Sequence, residues 1–170
     1  NAGFIESRWQ PLPWLSIEGG GRITEPEAFT TQTDFSFGVI ALHKPLGTKV
    51  RANWGEGFKL PSFFALANAI VGNPDLRPET STSYEISVTQ PIFSGKGETT
   101  ITLFDNSFFN NIDYDTNKHQ MVNRTQLSSH GGEFSFDWRG YKRLFLKGQI
   151  SFADTRIHET GEKQRKRPTW

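Results

Sequence analysis

Residues 54–79 read WGEGFKLPSFFALANAIVGNPDLRPE, and this stretch decides the fold of the chain. Its three glycines permit backbone angles that other residues resist, and its three prolines fix φ and remove N–H donors. We therefore expect no regular element to run through it. Connections longer than about 12 to 15 residues are usually functional or disordered. Because the stretch keeps apolar and aromatic side chains that a disordered linker lacks, it is predicted to be an ordered, functional loop between two strands.

Segments of alternating apolar and polar residues lie on both sides of this loop. Immediately before it, Val50, Ala52 and Trp54 are separated by single polar residues. The same pattern recurs in residues 2–9, 15–18, 34–42, 84–89, 99–103, 133–138 and 144–152. A period of two is typical of β-strands with one apolar face, and no helical run of comparable length is present. The chain is therefore predicted to be all-β, with about eight or nine antiparallel strands.

The composition excludes several classes of function. The 170 residues carry a formal net charge of only +1, and the basic residues at 163–167 have no aromatic residues among them, which argues against nucleic-acid binding. There is no cysteine, so disulfides, thiolate metal sites and cysteine nucleophiles are excluded. No catalytic triad, phosphate-binding loop or paired metal-ligand spacing is found. We predict that the protein is not an enzyme and holds no metal or cofactor.

The predicted connections alternate between short and long. Tight links are expected at residues 10–13, 44–48, 94–97 and 139–143, and long excursions at residues 19–33, 55–81, 106–129 and 154–166. Outer-membrane barrels have this asymmetry, with one rim that only reverses the chain and another that carries function. Aromatic residues beside the tight links fit an interfacial girdle, namely Trp9, Trp14, Phe93 and Trp138. We therefore interpret the chain as an up-and-down transmembrane β-barrel segment whose apolar side chains face lipid.

Three stretches resemble one family, the TonB-dependent outer-membrane receptors. These are barrels of about 22 strands that import siderophores, cobalamin and similar scarce nutrients. The first stretch is RANWGEGFKLPS (51–62), followed by GNPDLRPETS (72–81) and SYE (83–85). The second is LF (103–104), followed by IDYD (112–115), VN (122–123) and GE (132–133). The third, residues 155–168, is similar to the loop and strand start that come next in the family.

The resemblance implies that residues 1–170 form a partial receptor barrel in the bacterial outer membrane. The family's plug domain, the peptide that contacts TonB and the remaining strands are absent, which we interpret as an interior slice of the barrel. The final residues, RKRPTW, lack the alternating apolar strand with which such barrels end. The implied partners are outer-membrane lipid, TonB through the missing plug, and a small-molecule metal chelate or cobalamin.

The resemblance also implies that the long loops face the outside, where ligand capture needs aromatic surface and a few polar anchors. The candidate ligand-binding residues are Phe63, Phe64, Asn68, Asn73, Asp75 and Arg77 in the opening stretch, with Tyr114 in the next long excursion. A structural interpretation has equal weight. In that interpretation, Asn73 and the prolines near it hold the loop's shape, and Glu79 pairs with Arg77.

Two other architectures are compatible with the alternation. One is a self-standing outer-membrane barrel of about eight strands, used for adhesion or structure, which requires the first and last strands to pair. The other is a soluble β-barrel or sandwich that binds an apolar ligand and turns its apolar faces inward. The pairing of the end strands and the exposure of the apolar side chains distinguish these alternatives from a receptor segment.

Overall fold

The computed structural model describes residues 1–140 and 144–157, and β-strands dominate it. The strands are β1 (Ala2–Leu12), β2 (Leu15–Thr24), β3 (Gln32–His43), β4 (Thr48–Lys59), β5 (Glu79–Ile92), β6 (Gly97–Asp115), β7 (Gln120–Arg139) and β8 (Phe145–Ile157). One short helix, α1 (Phe63–Ala67), lies between β4 and β5, and a single 3-10 turn (Phe93–Gly95) follows β5. In the described residues, no helix is long and apolar enough to cross a membrane.

The strands form one antiparallel sheet in which each strand is hydrogen-bonded to its neighbours along the chain, in the order β1 to β8. The predicted all-β, up-and-down arrangement is confirmed, and the count of eight falls within the predicted eight or nine. Among the described residues no pairing joins β1 to β8, so the sheet is open at both edges. A self-standing eight-stranded barrel would need that pairing, and the structure does not support this alternative.

Successive residues of a strand point to opposite sides, so the sheet has two chemically different faces. The register aligns apolar residues of six strands in one row, namely Ala41, Val50, Val88, Ile101, Phe134 and Ile150. We call this side the apolar face. Its large side chains are exposed, and Ile150 is 69% exposed. Other large side chains on this face are exposed too, namely Phe35, Tyr84, Ile86 and Leu146.

Very little of the described chain is buried as a hydrophobic core. Ala65, Leu76 and Leu127 are its buried hydrophobic residues, and two of these lie in the connection between β4 and β5. A soluble barrel or sandwich would enclose its apolar faces between layers. The observed single layer with an uncovered apolar face does not fit that alternative.

The opposite side, which we call the polar face, carries charged, amide and hydroxyl side chains. Paired residues of neighbouring strands bring opposite charges together on it. Arg8 Nε lies 2.7 Å from Glu18 Oε1, and Lys147 Nζ lies 3.4 Å from Asp137 Oδ1. Solvent-exposed pairs of this kind contribute only about 0 to 1 kcal/mol each. Although they stabilise little, these ion pairs show that the polar face is suited to a water-filled interior and not to contact with hydrocarbon.

Two long excursions predicted from the sequence are wrong. Residues 19–33 include the end of β2, which continues to Thr24, and within residues 106–129 a turn of only four residues (116–119) joins β6 to β7. β6 has 19 residues, and at about 3.3 Å per residue it is longer than the apolar band of about 25 Å that a membrane barrel presents. Backbone pairing continues beyond that band, where apolar alternation is no longer required and the sequence signal fades.

The opening stretch also contains more regular structure than predicted. β4 continues through two glycines to Lys59, so the connection to β5 is residues 60–78, which we call the signature loop. As expected, no regular element runs through the whole stretch, but the short helix α1 forms within it. Pro61 precedes the N-cap residue Ser62, so the proline does not interrupt the helical hydrogen bonds.

Tight turns occupy one rim of the sheet, as predicted for the part of the chain that is described. They consist of residues 13–14, 44–47 and 93–96. The rings predicted as a girdle lie beside these turns or at the end of β7, and Phe93 and Trp138 contact each other edge to face with ring centroids 6.0 Å apart. This is a favourable aromatic geometry.

Some predictions fall outside the described residues. The tight link at 139–143 includes residues 141–143, and the long excursion at 154–166 is described only as far as Ile157, where β8 ends. Most of the stretch at 155–168 that resembles the family, and the final RKRPTW, also lie outside the described part.

Arginine substitutions at adjacent positions of β6 test the two faces. Ile101 lies on the apolar face, and Thr102 lies on the polar face in register with Glu133. If the apolar face contacts lipid, Ile101→Arg is expected to cost about 2 to 4 kcal/mol in the bilayer. Thr102→Arg should change the free energy of unfolding little, because its charge enters a wet interior beside Glu133. Chemical denaturation of each variant in phosphocholine vesicles measures the difference, and equal losses would contradict the assignment of faces.

Candidate functional site

The signature loop begins with a capped helical turn. The Ser62 hydroxyl accepts the N–H of Ala65 at 3.2 Å. This bond satisfies a donor that the first turn of a helix leaves without an intrahelical partner. The helix ends at Ala67, and the N–H of the C-cap residue Asn68 donates to the carbonyl of Phe64. The turn therefore sets two consecutive phenylalanines, Phe63 and Phe64, on an ordered backbone.

Asparagine side chains shape the loop after the helix. Asn68 Oδ1 accepts the N–H groups of Ile70 and Val71 at 2.9 and 3.0 Å. Asn73 Oδ1 accepts the N–H of Asp75 at 3.0 Å. In such turns a side-chain oxygen takes the place of a backbone acceptor. These two candidate ligand residues thus use their acceptor atoms on the loop's own backbone.

Gly72 lies at the tightest point of the loop. Its N–H donates to the Asn68 carbonyl at 2.9 Å. A Cβ placed on Gly72 would lie 2.5 Å from that carbonyl oxygen and 2.6 Å from the Asn68 nitrogen. Both contacts are with backbone atoms, so no rotamer change can relieve them. The loop can close here only because the residue has no side chain.

The loop is docked on the outer part of the β6–β7 hairpin, residues 110–124, which we call the hairpin arm. The Met121 N–H donates to the Val71 carbonyl at 2.7 Å, and the Met121 carbonyl accepts Asn73 Nδ2 at 2.9 Å. Among the described residues, β8 pairs with β7 only from Leu127 onward, so the backbone of Met121 is free to bond the loop. Both backbone groups of Met121 therefore hold the loop.

Two side chains of the hairpin arm complete the docking. Gln120 Nε2 donates to the Gly72 carbonyl at 3.1 Å. Asn123 Oδ1 accepts the N–H of Arg77 at 2.8 Å, and Asn123 Nδ2 donates to the Arg77 carbonyl at 3.0 Å. With the two bonds of Met121, five hydrogen bonds join the loop to the arm. Each of them has a backbone atom of the loop or of the arm as a partner.

Glu79, the first residue of β5, connects β4 to the hairpin arm. Its Oε2 lies 2.8 Å from Lys59 Nζ, and its Oε1 accepts the N–H of Ile112 at 2.8 Å. The predicted pairing of Glu79 with Arg77 is therefore wrong. Both carboxylate oxygens have other partners, and Arg77 is held through its backbone.

The docked loop leaves large apolar side chains in solvent. Ala65 and Leu76 are buried in it, but Phe63 is 84% exposed, Phe64 58% and Ile70 85%. We call these three exposed residues the apolar knuckle. Exposed apolar groups that an ordered backbone holds in place are characteristic of binding surfaces. The knuckle is the most apolar part of the loop that a ligand could reach.

Tyr114 lies near the end of the hairpin arm, with its hydroxyl 3.2 Å from Nδ1 of His119. The turn between these residues is held by Asp115, whose Oδ1 accepts the N–H groups of Lys118 at 3.1 Å and Asn117 at 2.9 Å. These bonds, that of Lys118 first, lower the pKa of the Asp115 carboxyl. The charged form, and the turn that it holds, therefore persists to lower pH than for an ordinary aspartate.

The structure places the seven candidate residues on two connected segments. Six lie in the signature loop, and Tyr114 lies on the arm that carries the loop. Asn68 and Asn73 bond backbone groups, whereas Asp75 and Arg77 have exposed side chains. The arrangement therefore divides the candidates into residues that shape the loop and residues that a ligand can contact.

Sequence reasoning missed two residues of this site. Ile70 is as exposed as Phe63, but it lies in an apolar run between Ala69 and Val71, so its sequence context did not indicate an exposed position. Asn123 belongs to the second stretch that resembles the family, but nothing near it in the sequence indicated its role. Its partner Arg77 is 46 residues away, and only the docking of the loop brings them together.

The groups of the site are suited to binding. In residues 1–140 and 144–157, no three His, Cys, Asp or Glu side chains converge as a metal site. The site offers an apolar surface, a phenol, an exposed guanidinium and the exposed carboxylate of Asp75. Such a combination suits capture of a molecule with apolar parts and polar groups at its edge.

A comparison with known families decides the assignment. Residues 1–169 match the sequence model of the family described as TonB dependent receptor-like, beta-barrel. The chain belongs to the TonB-dependent receptors. The resemblance predicted from the sequence is confirmed, and with it the outer membrane as the location of the receptor. The apolar face therefore contacts lipid, and the polar face lines the lumen of the barrel.

Individual relatives agree with this family. The receptor chain is 34% identical over 87 residues to the vitamin B12 transporter BtuB of Photobacterium profundum, covering 51% of this chain and 14% of that protein. It is 32% identical over 123 residues to the iron-regulated outer membrane virulence protein of Vibrio cholerae, covering 65% and 18%. The chain thus spans less than a fifth of these relatives.

A solved structure shows the same fold. The siderophore receptor PirA from Pseudomonas aeruginosa superposes with a TM-score of 0.80 at 19% sequence identity. The match covers 91% of this chain and 31% of that receptor. The fold of this chain is therefore shared with about a third of that receptor.

The closure of the signature loop at Gly72 can be tested with Gly72→Ala. The added methyl group meets backbone atoms, so we expect the loop to leave the hairpin arm and to be cut by chymotrypsin at Phe63 and Phe64. Gly148→Ala is the matched control, because a Cβ on Gly148 meets no atom within 4 Å. Cleavage rates in intact outer membranes measure the effect. Equal protection of the two variants would show that the loop does not close in this way.

Proposed function

We propose that this chain is part of the barrel of an outer-membrane TonB-dependent transporter that imports a siderophore, cobalamin or a similar scarce nutrient. The family assignment and the two unpaired edges of the described sheet support this proposal. In it, the chain is an interior segment of the barrel. The complete receptor supplies the further strands and the plug domain through which TonB acts.

The ligand-contacting part of the proposed site is the apolar knuckle with Tyr114. The observation that carries this proposal is that Phe63 is 84% exposed on a loop whose backbone is bonded to the hairpin arm. The exposed side chains of Asp75 and Arg77 are proposed as polar contacts to the ligand. Asn68 and Asn73, although candidates from the sequence, are proposed to act through the shape of the loop.

The names of the relatives define which ligands to test first. One relative is named a vitamin B12 transporter, another is named as iron-regulated, and the superposed structure is named a siderophore receptor. Both ligand classes are large molecules with apolar and polar portions, which an exposed apolar knuckle with a few charged neighbours could hold. Cobalamin and ferric siderophores are therefore the two probes that we propose.

Uptake by cells tests the proposed function directly. The complete receptor gene should restore uptake of either ⁵⁷Co-labelled cyanocobalamin or a ⁵⁵Fe-labelled hydroxamate or catecholate siderophore to a strain that lacks its own receptors. Uptake should disappear when TonB is deleted, because import by this family depends on TonB. Surface expression without uptake of any of these probes would contradict the proposal as stated.

Replacement of both knuckle phenylalanines tests the site. Phe63→Ala with Phe64→Ala removes exposed aromatic surface, and aromatic contacts of this kind commonly contribute more than about 1 kcal/mol each to binding. We expect the half-saturation concentration for uptake to rise about tenfold or more, with receptor abundance unchanged. Phe93→Ala is the matched control, because Phe93 is also exposed but lies at the opposite rim. Equal effects of the two changes would contradict the proposed site.

A further inference from the structure

The amide of Asn123 makes three hydrogen bonds, all to backbone atoms. Its Oδ1 accepts the Arg77 N–H at 2.8 Å, and its Nδ2 donates to the carbonyls of Arg77 at 3.0 Å and Asn110 at 2.7 Å. The two bonds to Arg77 are reciprocal, as they are between paired residues of two strands. Only one orientation of the amide allows all three, because the reverse would oppose two donors at the Arg77 N–H.

The bonds of Asn123 connect three separate segments. Asn123 lies on β7, Arg77 near the end of the signature loop, and Asn110 on β6. Asn110 has φ of 54°, in the left-handed region that few residues other than glycine adopt, so the backbone of β6 is irregular at this residue. Asn123 therefore bonds the arm at an irregular point and the loop at the same time. The other bonds between loop and arm, at Gln120 and Met121, join only two segments.

We infer that Asn123 is the positioning residue that holds the signature loop on the hairpin arm, so that the apolar knuckle and Tyr114 face a ligand as one surface. The role in ligand capture rests on the proposed function. The side chain of Asn123 bonds only backbone atoms, so it does not itself select the ligand. It raises the fraction of receptors whose loop is already in the binding position, and the apparent affinity falls in proportion when that fraction falls.

Neither aspartate nor alanine can reproduce these three bonds. Aspartate is nearly the same size but has no donor, so its carboxylate would oppose the carbonyls of Arg77 and Asn110. Alanine removes the side-chain amide and with it all three hydrogen bonds. Asn111 is a suitable control, because it lies on the same arm and its side chain makes no hydrogen bond to any residue in the described ranges.

A distance between spin labels tests the inference without a ligand. The chain contains no cysteine, so Ala67→Cys on the loop and Asn117→Cys on the turn of the arm give one labelled pair once any cysteine elsewhere in the complete receptor is replaced. Both positions are exposed. We expect a narrow distance distribution in the otherwise unchanged receptor and with Asn111→Ala. With Asn123→Ala and with Asn123→Asp, we expect a distribution at least about twice as wide, because a loop without the hydrogen bonds of Asn123 samples many positions.

Uptake provides the second measurement, in the complete receptor with the cyanocobalamin and siderophore probes named above. If Asn123→Ala leaves the loop docked in about a tenth of receptors, the half-saturation concentration should rise about tenfold while the maximal rate of uptake is unchanged.

A distance distribution as narrow as that of Asn111→Ala would overturn the inference. If the unchanged receptor imports neither probe, the proposed function fails, and the spin-label distances still decide whether Asn123 positions the loop. The near-isosteric Asn123→Asp decides the question should Asn123→Ala fail to assemble.

Discussion

The structure depends on one constraint, which is that hydrocarbon offers no partner for a backbone N–H or carbonyl. Eight strands meet it by pairing in sequence order, each with its neighbour along the chain. Because the backbone of β2 to β7 is satisfied within the sheet, side chains need not form a core, and few hydrophobic residues in the described part are buried. The apolar residues instead cover one face and the polar residues the other. The chemistry of the barrel wall thus follows from the pairing.

Outside the hydrocarbon the same pairing serves a different purpose. β6 and β7 continue as a hairpin arm past the end of their neighbours, and the free backbone of Met121 is satisfied by the signature loop through Val71 and Asn73. Water could satisfy the N–H and carbonyl of Met121 equally well. The loop therefore docks because its side chains favour this position, and not because these backbone groups lack another partner. This explains why the loop needs specific amides, at Asn73, Gln120 and Asn123, whereas the wall needs only alternation.

The sequence predicts the wall well and the exterior poorly. Period-two alternation identified the strands around Val50 and Ile86 because each must present one face to lipid. It failed at the ends of β2, β6 and β7, where the strands leave the bilayer and any side chain is acceptable. The candidate loop was recognised from its glycines and prolines, but its helix was missed, since a five-residue helix depends on the cap at Ser62 more than on any periodic pattern. Long-range hydrogen bonds such as those of Asn123 do not depend on any local pattern in the sequence, so they could not be predicted from it.

The site separates the residues that hold the loop from those that can touch a ligand. The hairpin arm forms hydrogen bonds to the backbone of Val71, Gly72 and Arg77 in the loop. One further bond joins the side chain of Asn73 to a backbone carbonyl of the arm. Bonds to backbone atoms are largely indifferent to side-chain identity, except where a glycine is required for space. The exposed side chains of Phe63 and Ile70 take no part in these hydrogen bonds, so they can be replaced without weakening the docking of the loop. A loop built in this way can keep one shape while its contact surface is adapted to different ligands, which is what a fold shared by receptors for different nutrients requires.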